Sequence, residues 1–341
     1  MNRIFVTGGA GFIGSAFVRL ALRELPETKI INFDALTYAG NIDNIKELDN
    51  KRHKFVSGNI CDKQAVLAAL PEETDAIVNF ATESHVDRSI NSANEFVLAN
   101  VLGTQVLLDA FREKNVRLFL QLSTDEIMGS LPPGETARFT EESPLRPNNP
   151  YAASKASAEL FVRAAQKTFG IDAIITRCGN NYGPRQFPEK LIPLMISNAL
   201  NNEPLPVYGD GKQVRDWIFV EDHCRAILTV LLNGKSGEVY HIGTRNERQN
   251  IEVIKFILDV LEKPYSLIKH VKDRPGHDRR YGIDPTKIET ELGWKPLETW
   301  ESGMDKTIRW YVENQAWLER IRSGAYRDYY ARQYGTEAAQ K

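Results

Sequence analysis

Cysteine is scarce. The 341 residues hold three, Cys61, Cys178 and Cys224, odd in number, far apart and without a Cys-x-x-Cys spacing. That argues against a disulfide framework or a zinc site and leaves three small apolar residues buried in a reducing compartment. No apolar run reaches spanning length and no leader-like segment opens the chain, so the expectation is a cytoplasmic protein with no membrane partner. Neither sign of charge is in excess. The formal net charge is −2, which gives no footprint for nucleic acid or an anionic membrane but leaves room for a local basic site. Repeats, long linkers and low-complexity tracts are lacking too. The remainder is ordinary for a globular protein, 42% hydrophobic and 26% charged, and long enough for one large domain or two fused ones.

Against that background the chain alternates. Short apolar runs at 3–7, 29–33, 54–58, 76–80, 117–122 and 172–177 read as strands, and helical spacing fills 15–25 and 95–111. Alternation of this kind predicts an α/β fold with a Rossmann-like, doubly wound parallel sheet. Beyond Arg177 prolines and loops become frequent, with strands expected at 216–220 and 238–242 and helices at 251–261 and 300–321. The expected division is a dinucleotide-binding domain over 1–177, to which a later segment returns, and a smaller mixed substrate-binding region over 178–341. The last residues, 336–341, are expected to fray.

The first strand runs into Gly8-Gly9-Ala10-Gly11-Phe12-Ile13-Gly14. Such glycines permit a tight turn, close backbone approach to a pyrophosphate, and close packing of helix on strand. The helix start then offers N–H groups to phosphate. Asp34 ends the second strand, 20 residues beyond Gly14, where a carboxylate binds ribose hydroxyls and repels a 2′-phosphate; this predicts NAD rather than NADP. Gly8, Asp34, Asn59, Ala81 and Ser123 all follow strands, so they are expected along one sheet edge.

Ser123-Thr124-Asp125-Glu126 closes the fifth strand, and Tyr151-Ala152-Ala153-Ser154-Lys155 opens a later helix. Tyr151 and Lys155, four apart, share a helix face. A nearby ammonium and a positive nicotinamide ring would favour the phenolate, able to take a proton from a sugar hydroxyl as hydride leaves the same carbon. Thr124 suits the hydrogen-bond partner of that hydroxyl. Adjacent Asp125 and Glu126 could divide acid and base roles if their environments separate their pKa values, which elimination of water requires. His85 is expected to be structural, and the basic groups of Arg274-Pro275-Gly276-His277-Asp278-Arg279-Arg280 suit a diphosphate. Trp294, Trp300, Trp310 and Trp317 read as core or dimer-contact aromatics.

With these motifs the chain resembles the extended short-chain dehydrogenase/reductases, and among them the dTDP-glucose 4,6-dehydratases, from about Arg3 to Trp317. The resemblance rests also on Asp34-Ala35-Leu36-Thr37-Tyr38-Ala39-Gly40-Asn41, Glu83-Ser84-His85-Val86-Asp87-Arg88-Ser89-Ile90, and Asn180-Asn181-Tyr182-Gly183-Pro184 running on to Pro193. It implies that Tyr151 is the base at the sugar 4-hydroxyl, aided by Thr124 and Lys155, that Glu126 removes the C5 proton, and that Asp125 protonates the departing C6 hydroxyl. It implies an NAD site of Gly8, Gly11, Phe12, Ile13, Gly14, Asp34, Ala35, Leu36, Thr37, Asn59, Ile60, Phe80, Ala81, Thr82, Ser84, Ala99, Tyr151, Lys155 and Asn181. The implied nucleotide-sugar site is Ser84, His85, Thr124, Asn180, Glu189, Lys190, Leu191, Pro206, Val207, Tyr208, Arg215, Asn250, Asp273, Arg274, His277 and Tyr281. A homodimer through helices of the dinucleotide domain is implied as well.

Four positions depart from the family pattern. Met128 replaces a tyrosine, Asn59 an aspartate at the adenine, Ala99 a threonine and Thr82 an alanine. They bear on cofactor affinity and rate and remove no catalytic group. dTDP-glucose and UDP-glucose both remain open as substrates, because a thymine methyl adds only a small apolar contact. A nucleotide-sugar 4-epimerase or decarboxylase would share the Tyr–Lys pair but has no need of Asp125-Glu126. A non-catalytic NAD-binding sensor or scaffold would need none of the four together.

Overall fold

The computed structural model describes residues 1–48 and 51–322. Seven parallel strands make the main sheet: β1 (Arg3–Thr7), β2 (Lys29–Asp34), β3 (His53–Ser57), β4 (Ala76–Asn79), β5 (Leu118–Thr124), β6 (Ala173–Cys178) and, returning from late in the chain, β10 (Val239–Ile242). Their spatial order is β10-β6-β5-β4-β1-β2-β3. Strand order reverses between β1 and β4, and a crevice opens there at the carboxyl ends. Three further strands, β7 (Asn180–Tyr182), β9 (Val214–Phe219) and β11 (Glu247–Gln249), form a mixed sheet, and β8 (Leu205–Tyr208) pairs with β12 (Ile268–Val271).

Helices α1 (Phe12–Glu24), α2 (Lys63–Ala69), α3 (Val86–Asn91), α4 (Asn94–Phe96), α5 (Gly103–Glu113), α6 (Pro150–Phe169), α7 (Leu191–Leu200), α8 (Val220–Asn233), α9 (Asn250–Val260), α10 (Thr286–Leu292), α11 (Trp300–Glu313) and α12 (Gln315–Arg322) complete the chain. The strands are apolar because both sheet faces are covered. Phe17, Leu20 and Ile227 of α1 and α8 pack on one face; Leu107, Phe111 and Val162 of α5 and α6 pack on the other. A separate core joins α7, α9, α11 and α12 around Trp217, Trp300, Tyr311 and Trp317.

Two helices differ from the periodicity. The expected 95–111 helix runs from α4 into α5 through a π-helical stretch, Val97–Leu102. The expected 300–321 helix breaks at Asn314, whose backbone is neither helical nor extended (φ −118°, ψ 40°), and beyond it Trp317 meets Trp310 and Tyr311 edge to face. Residues 336–341 lie outside the described residues. Cys224 is buried, but Cys61 and Cys178 are partly exposed, and both line a cavity. No helix among the described residues is long and apolar enough to cross a membrane.

Candidate active site

A cavity of about 560 Å3 lies over the carboxyl ends of β1, β2, β3, β4 and β5 and is lined from the substrate region by Gln186, Phe187, Glu189 and Lys190. Gly8, Asp34, Asn59, Ala81 and Ser123 all line it, as the strand ends required. Gly8 has φ +69°, and a Cβ there would sit 2.6 Å from the Ala81 nitrogen. At Gly14 a Cβ would collide with the Gly8 carbonyl oxygen. This close packing sets the N-terminus of α1 against the strand end, and no side chain among the described residues caps it. Its first-turn N–H groups face the cavity, a cradle for phosphate. Asp34 accepts the Ala10 N–H at 2.9 Å and the Leu36 N–H at 2.8 Å. Those bonds fix the carboxylate and leave each oxygen a lone pair for a ribose hydroxyl.

Every cofactor residue named from the sequence lines this cavity except Leu36, which turns its side chain to solvent at φ +49° and contributes only its N–H. Asn59 spends one acceptor site of its side-chain oxygen on the Cys61 N–H at 2.9 Å. Met128 is buried against Arg177, whose guanidinium lies 3.7 Å from its sulfur.

The five candidate catalytic groups meet in the same cavity. Asn149 caps α6 by accepting the Ala152 N–H at 2.9 Å, and Pro150 occupies the first turn. Tyr151 and Lys155 therefore enter on one buried face. The Thr124 side chain favours the ionised Tyr151 phenol, against the burial that opposes it. Lys155 donates to the Leu122 carbonyl oxygen at 2.6 Å. Burial lowers Lys155 to about 8, and burial followed by the Glu126 charge raises Tyr151 well above the usual phenol range. The protein groups alone thus keep the phenol protonated.

Asp125 and Glu126 begin a 3-10 turn, Asp125–Met128, directly at the end of β5. Thr124 caps that turn, accepting the Glu126 N–H and donating to Asp125 Oδ1, both at 3.3 Å. Burial and then the Glu126 charge push Asp125 well above the carboxylate range. Burial raises Glu126 too, but Arg274, Arg215 and Lys190 pull against it. The two carboxyls are driven apart, with Asp125 favoured neutral and Glu126 the easier to ionise.

Of the candidate substrate residues, Ser84, Thr124, Asn180, Glu189 and Lys190 line this cavity. His85 does not. It is buried, lowered to about 3, and accepts the Arg88 N–H at the start of α3, a structural role. Leu191, Pro206, Val207 and Asn250 are also off the cavity wall, Val207 within the α7–α9 core. Tyr208, Arg215, Asp273, Arg274, His277 and Tyr281 gather in an adjoining polar cluster. Arg215 stacks on Tyr281, its guanidinium carbon 4.2 Å from the ring centre. Asn180 Oδ1, Asn250 Oδ1 and Arg274 Nε are buried without a hydrogen-bond partner among the described residues. Such groups suit a polar ligand.

The sequence left several neighbours without a role. Tyr38 lines the cavity and donates to Glu189 Oε1 at 2.9 Å, and burial raises Glu189 to about 7. His223 also lines it and joins Asn181 at 2.8 Å. Asp87 anchors Tyr208 and Arg274. Only Tyr38 and Asp87 fall in quoted motifs; His223 carried no signal beyond its place at the start of a helix. Among the described residues no group of three or more His, Cys, Asp or Glu is placed to hold a metal ion.

Comparison with known proteins places this geometry. A family model described as GDP-mannose 4,6 dehydratase matches residues 5–307. A dTDP-glucose 4,6-dehydratase of Xanthomonas campestris pv. campestris is 51% identical, covering 94% of this chain and 96% of its own. The crystal structure of a dTDP-glucose 4,6-dehydratase from Streptomyces venezuelae, with NAD and TYD bound, superposes with a TM-score of 0.91 at 48% identity, covering 94% of this chain and 99% of that one. A Thermus thermophilus UDP-glucose 4-epimerase in complex with NAD follows the same fold at 29% identity and a TM-score of 0.84, covering 92% of this chain and 99% of that one.

Proposed function

The chain belongs to the family described as GDP-mannose 4,6 dehydratase, alongside the dTDP-glucose 4,6-dehydratases, and on that premise we propose that it converts dTDP-glucose to dTDP-4-keto-6-deoxy-glucose with NAD as cofactor. The carrying observation is the pair of carboxyls driven apart beside Thr124 and Tyr151. Hydride transfer alone has no use for that pair, and the 4-epimerase fold is otherwise shared.

The glycine cradle at α1 and the oriented Asp34 carboxylate fit the pyrophosphate and adenosine ribose of NAD. Bound there, NAD supplies an acceptor of hydride from the sugar and later its donor. Tyr151 takes the proton of the sugar 4-hydroxyl, held in place by Thr124. Its phenol needs positive charge nearby to ionise, from Lys155 and the nicotinamide ring together. Glu126 removes the C5 proton, which the 4-ketone acidifies. Asp125 gives its proton to the departing C6 hydroxyl, and C5 is later reprotonated. Lys190, Arg215 and Arg274 hold the diphosphate end while biasing Glu126 toward its ionised form.

Purified protein is expected to turn dTDP-glucose into a 4-keto product with no net build-up of reduced nicotinamide. UDP-glucose assayed side by side should turn over more slowly. Absence of keto product from either sugar, with NAD bound, would sink the proposal; faster turnover of UDP-glucose would reverse only the base preference.

A homodimer is proposed as well. Val97, Leu98 and Leu102 of the π-helical stretch and Leu160 and Phe161 of α6 are exposed on adjacent helices, an apolar stripe suited to a second copy of itself. Leu160→Asp with Phe161→Asp should halve the mass measured by light scattering. An unchanged mass would place the interface elsewhere.

A further inference from the structure

Asp87 lies in the first turn of α3, on the dinucleotide side of the cleft, 6% exposed. Its two oxygens reach across to the substrate side. Oδ1 accepts Arg274 Nη1 at 2.9 Å, and Oδ2 accepts the Tyr208 hydroxyl at 3.0 Å. The Arg274 loop is held from behind as well. Gln213 donates to Asp273 at 3.1 Å, and His277 meets Asp273 at 2.6 Å. Arg274 keeps a buried Nε without a partner among the described residues, and it is the foremost cation favouring the Glu126 anion.

We propose that Asp87 is a positioning residue: by gripping one arm of the Arg274 fork and the Tyr208 hydroxyl, it aims the rest of the guanidinium at the substrate diphosphate and at Glu126. One carboxylate thereby ties two nucleotide-sugar groups of the substrate region to the dinucleotide domain. A guanidinium suits this because its planar fork can hold a carboxylate on one edge and a phosphate on the other. The role rests on the diphosphate-sugar substrate proposed above. That substrate is tested by wild-type turnover, so its failure is separable from failure of the Asp87 role.

The test is dTDP binding to the NAD-loaded protein by calorimetry, together with steady-state kinetics. Asp87→Asn should weaken dTDP roughly tenfold to a hundredfold and raise KM more than it lowers kcat, as expected when one partner of a buried charge pair is lost. NAD content should be unchanged. In an Arg274→Gln background Asp87→Asn should cost less than it does in the wild type, because the path through Arg274 is already cut and only the hold on Tyr208 remains to be lost. Arg274→Lys, which keeps the charge but not the fork, should also weaken dTDP. Additive losses in the double variant, full dTDP affinity in Asp87→Asn, or full affinity in Arg274→Lys would each overturn the role.

Discussion

Replacing Glu126 with Gln is expected to lower the rate of dehydration by about 10^2–10^4, the usual contribution of a placed general base, while C4 oxidation persists. Asp125→Asn should cause a loss of similar size at a different step. Both substitutions keep the shape of the 3-10 turn and the Thr124 cap, so the two losses report chemistry rather than folding. The two variants separate by isotope exchange. Glu126→Gln removes the group that takes the C5 proton, so solvent deuterium should not enter C5. Asp125→Asn leaves that group in place and removes the proton for the leaving hydroxyl, so C5 exchange should continue without release of water.

The pH profile carries the same division. Glu126 works ionised, so the rate climbs as pH rises through its raised pKa; Asp125 works protonated, so the rate falls once pH passes its own raised pKa. Glu126→Gln removes the negative neighbour of Asp125 and should bring that falling limb to lower pH in the residual rate. Equal loss of oxidation, exchange and dehydration in both variants, with the fold intact, would end the assignment of separate roles.

What was legible in the sequence was local. The glycine turn, Asp34, and the Ser123–Glu126 and Tyr151–Lys155 stretches each carry their geometry within a few residues, and the strand alternation carried them to one sheet edge. The misses are contacts that no short window contains. Asp87 meets Arg274 across 187 residues, and Tyr38 meets Glu189 across 151. Neither pair has a period or a spacing; each exists only because the substrate region folds back over the cleft. The break at Asn314 escaped for another reason: apolar residues continue at helical spacing on both sides of it, so periodicity cannot register the change of direction. The separation of Asp125 from Glu126 lay between these cases. Their adjacency was plain, but the cations that pull on Glu126, Lys190, Arg215 and Arg274, come from three distant segments.

The largest expected loss of stability lies behind the site. Arg177 of β6 and Glu159 of α6 are almost wholly buried, and they pair bidentately, Nη2 to Oε1 at 2.5 Å and Nε to Oε2 at 3.1 Å. Nη1 of Arg177 spans the Glu141 carbonyl oxygen at 3.1 Å, His241 Nε2 at 3.3 Å and the Met128 sulfur. Glu159→Ala leaves a guanidinium in the interior without its counter-charge. That costs about 3–5 kcal/mol, whereas replacing both partners by apolar residues of similar size is often near neutral. For a chain of this size Glu159→Ala should lower the melting temperature by roughly 5–15 °C, and Glu159→Leu with Arg177→Met should recover most of it. The comparison belongs near pH 8, above the ordinary histidine range. There His85, His223 and His241, each lowered to about 3 by burial, are neutral in the folded chain and nearly so in the unfolded one, so histidine protonation adds nothing to the difference. A double variant no more stable than Glu159→Ala would mean that the cost comes from lost packing and not from the stranded charge. Because Met128 ends the turn that Asp125 begins, the same guanidinium also braces the acid–base pair from beneath. Turnover should accordingly fall in Glu159→Ala even at temperatures where the variant is fully folded.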